Sequence, residues 1–113
     1  MKLIELLKIG AFGVVLVLTQ ASPNAFAQDM SPASKGYMDS MAKMQKDMPK
    51  TTGDGDVDFA QMMIPHHQGA SDMAKVLLDT SKDPTLRKMA AKMIKDQGRE
   101  ISQLQDWLKK HKK

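Results

Sequence analysis

Two adjacent imidazoles and three thioethers fall within about three helical turns in Met62-Met63-Ile64-Pro65-His66-His67-Gln68-Gly69-Ala70-Ser71-Asp72-Met73. On a 3.6-residue period, Phe59, Met62, His66, Ala70, Met73 and Leu77 share one stripe, and Met63, His67 and Ala74 form a second row beside it. Met62–His66 and Met63–His67 are i, i+4 pairs, so a sulfur and a nitrogen can meet on neighbouring rows. Thioether with imidazole suits soft copper, above all Cu(I), and does not suit Mg or Ca. The bland reading is a partly buried polar pair, since histidine is the commonest metal ligand yet often structural. Pro65 stands one residue before the pair and cannot donate to the Gln61 carbonyl, so a helix either begins there or kinks there. The apolar stripe keeps its phase from Phe59 to Leu77, which favours one continuous kinked helix.

Other chemistries lack their residues. After residue 27 the chain has one glutamate, Glu100, and no Glu-x-x-His pair, so a carboxylate-bridged di-iron site has no ligand set. There is no His-Glu-x-x-His motif and no Gly-rich phosphate loop. Ser71 and His67 lie four apart on one helix without an orienting acid or an oxyanion hole, so no nucleophile–base pair is expected and no enzyme activity follows. The chain contains no cysteine, so a soft-metal site must use thioethers.

Three helices would position these residues. The first spans Ala33 to Met48, with Tyr37, Met41, Met44 and Met48 on one stripe, Met38 flanking it, and Pro49 as its stop. Methionine fills irregular cores, so this stripe is packing by default. Leucine would pack with better-defined rotamers, and its absence here points to Met38, Met41, Met44 and Met48 as a second, weaker metal surface. Pro49 to Asp56 (PKTTGDGD) is a turn-rich linker without the full calcium-loop spacing, and Asp56 or Asp58 is expected to cap the second helix, about Asp58 to Leu78. Asp83-Pro84 starts the third helix, which runs to about Lys110. Its stripe is Leu86, Met89/Ala90, Met93, Gln97, Ile101, Leu104 and Leu108, with Trp107 beside its end. Short connections make neighbouring helices antiparallel, so the fold class is all-α, a small helical bundle.

Lys2 and Lys8, the apolar run Ile9 to Leu18 and Ala25-Phe26-Ala27 read as a cleaved signal peptide over residues 1–27. The run is shorter than the roughly 20 residues of a membrane span, so no membrane association is expected after cleavage, and the location is periplasmic or secreted. Residues 28–56 form the Met-rich helix and linker, and residues 57–113 a His-His/Met helical hairpin, together one compact domain. The net charge is only +4, much of it in the Lys109, Lys110, Lys112, Lys113 tail, which argues against nucleic acid and for a solvated helix end.

Asp58-Phe59, Met63-Ile64-Pro65-His66-His67-Gln68-Gly69-Ala70, Asp72-Met73-Ala74, Leu86, Ala90, Ile94, Gln97, Glu100-Ile101 and Trp107-Leu108 resemble the exported bacterial domain-of-unknown-function family 305. That family includes periplasmic copper-binding proteins of the CopM type. The resemblance covers nearly all of Asp58 to Leu108 and implies a ferritin-like bundle that binds copper through histidine and methionine. It carries over His66, His67, Met63 and Met73 as site residues, with Gln97 and Glu100 supporting them. Leu104 departs from the methionine often found there. The expected function is sequestration, storage or transfer of Cu(I), with Cu(II) or Ag(I) as alternatives, in metal tolerance or homeostasis. Expected partners are copper ions, a copper-transfer protein and a second copy of the chain. The competing expectation is a structural module whose Met-rich faces mediate self-association.

Overall fold

A computed structural model describes residues 30–111. The segment read as a signal peptide, residues 1–27, lies outside the described residues. Among them are three helices, α1 (Pro32–Asp47), α2 (Gly55–Thr80) and α3 (Pro84–His111). No helix of the described residues is long and apolar enough to cross a membrane.

Each helix begins where its local chemistry allows. Ser31 caps α1 by accepting from the Ser34 N–H, and Pro32 stands at the first positions, where no donor is needed. Asp83 accepts from the Leu86 N–H at 2.8 Å and caps α3 as expected. The cap of α2 differs from expectation. It is Asp54, whose carboxylate accepts from the N–H groups of Asp56 and Val57, so α2 starts three residues earlier than Asp58. Asp58 is engaged elsewhere, accepting from the Thr52 N–H at 2.6 Å and the Thr52 hydroxyl at 2.7 Å. The Thr52 N–H is the chief reason its carboxyl is held below the ordinary aspartate range. Gly53, with φ of 90°, supplies the left-handed residue this linker needs to turn. α2 runs without a break through Pro65, in line with the continuous phase of its stripe. At its far end the Arg87 side chain donates to the carbonyls of Leu78 and Ser81, two of the acceptors that a helix C-terminus leaves open.

α2 is the middle element. α1 and α3 each pack on it, and among the described residues they do not pack on each other. Gly36 lies against Val76 and Gly69 against Met44, so α1 runs antiparallel to α2. His67 meets Glu100, while Phe59 and Trp107 share a groove farther towards the start of α2, so α3 is antiparallel to α2 as well. The result is a three-helix layer with two faces. One face carries a groove bounded by Asp47, Ile64, Gln68, Ile101 and Leu108. On the helical period Phe59, Met62, His66, Ala70, Met73 and Leu77 fall on the other, open face. The row of α2 that packs on α3 is therefore Ala60, Met63, His67 and Ala74. Of the two rows read from the sequence, the second is the interior one. Ala60, Ala74, Ala90 and Leu108 are the buried apolar residues among those described, and no large side chain is fully buried.

Candidate metal centre

The α2–α3 seam brings together residues that lie far apart in the chain. The His67 side chain is only 13% exposed, and its Nε2 lies 2.6 Å from Glu100 Oε2. An ionised carboxylate can only accept, so Nε2–H is the donor and the lone pair of the neutral ring resides on Nδ1. His67 Nδ1 is buried and has no hydrogen-bond partner. A ring held by a carboxylate on one nitrogen, with the other nitrogen free, is the arrangement metal-ligating histidines adopt. Gln97 Oε1 is likewise buried and unpartnered, one turn before Glu100 on α3.

Met63 and His67 line the same groove of about 590 Å³, walled by Phe59, Leu104 and Trp107, with Glu100 on its polar side. Leu104 stands where relatives were expected to carry a thioether, so α3 contributes apolar wall there and no sulfur. Trp107, which the sequence placed only beside the end of α3, is part of this wall, and His111 stacks on it with ring centroids 4.0 Å apart. Glu100 lies 33 residues from His67, so no local spacing could pair them; the family resemblance alone pointed to it.

The remaining site residues from the sequence are dispersed. His66 is exposed, with its ring centroid 6.0 Å from that of His67 and the planes tilted by 57°. It projects from the open face in the same row as exposed Met62, while Met73 is half-buried two turns farther on. Met38 and Met41 of α1 are exposed. Met44 packs over Gly69, where an added Cβ would come within 3.1 Å of its Sδ, and Met48 is half-buried past the end of α1. The four α1 methionines thus divide between solvent and packing. No group of three or more His, Asp or Glu donors that could hold a metal occurs among the described residues. Thioether with a single imidazole, the donors that line this groove, is a set that suits a soft monovalent cation.

No curated protein matches the chain. The match that does emerge is to the family described as domain of unknown function (DUF305), and it extends over residues 16–112. The chain therefore belongs to that family.

Proposed function

We propose that this chain is an exported copper-binding protein that holds Cu(I), with Ag(I) or Cu(II) as alternatives, for storage, sequestration or transfer in metal tolerance. The observation that carries this reading is the unpartnered, buried Nδ1 of His67, fixed in its tautomer by Glu100, in a groove that also presents Met63. A buried acceptor without a partner costs about 1–3 kcal/mol, a cost that a bound cation would remove. His66, Met62 and Met73 extend the donor set on the neighbouring face. No turnover is part of the reading.

The test is a Cu(I) titration against a competing chelator, comparing the parent with a variant carrying His66→Ala and His67→Ala. The double variant should lose the tightest site and keep its helical circular dichroism. Unchanged affinity in the folded variant would refute the assignment. A second reading, a helical interaction module, draws on the exposure of Met38, Met41, Met62, Met89 and Met93. It predicts no stoichiometric copper site at all.

A further inference from the structure

Of the eight large apolar side chains exposed among the described residues, five gather on one side of the layer. On α2 these are Phe59, 62% exposed, and Met62, which lie two turns and one turn before His66 along the open face. On α1 the turn that buries Ser40 and seats Met44 on Gly69 leaves Met41 on that same side, with Lys43 towards the other face. On α3, Met89 and Met93 share the side of Glu100 and Trp107, whereas Ile101 and Leu108 face the opposite groove. The middle of this patch, Phe59, Met62, His66, Ala70 and Met73, carries no carboxylate, lysine or arginine.

The interior cannot account for these residues. Its buried apolar members are three alanines and one leucine, and there is no cysteine to staple the chain. With so small an interior, covering exposed apolar surface by a partner or binding a metal would add to the stability of the fold. Phe59, Met89, Met41, Met93 and Met62 are each 37–62% exposed, and covering such side chains on both copies of a symmetric pair approaches the roughly 1,000 Å² that a specific interface must clear. A thioether and aromatic surface without charge at its centre offers nothing to a phosphate backbone or a lipid headgroup, and matches itself.

We propose that the open face is the interface between two copies of this chain, paired two-fold. Pairing brings the His66 imidazoles and Met62 thioethers of both copies together and completes a soft-cation site that one copy leaves unfinished. The metal half of this proposal rests on the copper reading above; the pairing rests on the exposed face and the small interior.

Sedimentation of the purified exported form, with and without Ag(I), reads the pairing directly. The parent should sediment as a dimer, and a variant carrying Met89→Glu and Met93→Glu as a monomer with unchanged helical circular dichroism. Because the chain has no cysteine, single introduced thiols report which face is covered. Ala70→Cys, near the patch centre, should cross-link under mild oxidation, and Lys75→Cys on the opposite side of α2 should not. In the variant carrying Met89→Glu and Met93→Glu, neither of which lines the His67 groove, the shared Ag(I) ion should be lost while the ion at His67 stays. A parent that remains monomeric in both conditions, or a Lys75→Cys variant that cross-links as readily as Ala70→Cys, would overturn the interface. A dimer that binds no Ag(I) would overturn the copper reading and the shared site, and leave the interface standing.

Discussion

Where α1 meets α2, Gly36 lies under Val76 and Gly69 under Met44, and a Cβ added at these glycines would come within 2.8 and 3.1 Å of the facing side chain. Where α3 meets α2, the contact holds the His67–Glu100 pair, an unpartnered Gln97 oxygen and a groove large enough for a ligand. The first contact works by close approach, since a residue without a Cβ lets a neighbouring side chain reach the backbone. The second tolerates two unsatisfied polar atoms, each costing about 1–3 kcal/mol, and keeps space beside them. One seam fixes the position of α1; the other retains chemistry at the expense of stability.

The largest effect should come from breaking the close contact. Gly36→Val places a branched side chain against Val76 and should destabilise the fold by about 2–3 kcal/mol, read as a lower urea midpoint. Gly98→Ala is its control, because nothing lies within 4 Å of the new Cβ and α3 should gain up to about 1 kcal/mol in helix propensity. A Gly36→Val variant as stable as the parent would remove the distinction between the two seams.

The next test sharpens the polar seam. Glu100→Gln keeps a side chain of the same size but removes the charged acceptor that fixes the His67 tautomer. Cu(I) affinity should fall about 10–100-fold, with thermal stability little changed. A loss of stability without a loss of affinity would make the pair structural only.

The smallest change in stability is expected on α1. Replacing Met38, Met41, Met44 and Met48 together by Leu should cost less than about 1.5 kcal/mol per site, because the two side chains are close in volume. Copper bound per chain should nevertheless fall, because the exposed sulfurs of Met38 and Met41 are gone while His66 and His67 are untouched. Equal copper in a well-folded variant would leave α1 as packing.

Helix number, order and approximate length were legible in the chain, because proline stops, aspartate caps and apolar periodicity act over a few residues. α3 begins at Pro84, as Asp83-Pro84 indicates, and α1 spans Pro32–Asp47, shifted by one residue from the expected Ala33 to Met48 because Ser31 caps it. The start of α2 was not legible. Asp54, Asp56 and Asp58 are locally equivalent caps, and the choice of Asp54 goes with the engagement of Asp58 by Thr52 across the linker. The clustering of His66 and His67 with methionines was visible from spacing. Which imidazole faces inward was not, since adjacent helical positions differ by 100° and the placement of α3 selects between them. Sequence by itself determined three helices and a soft donor set, through interactions that reach one or two turns. Tertiary structure alone decided that His67 is buried against Glu100 and that His66 stays on an open face, because both depend on which side of α2 the other helices cover.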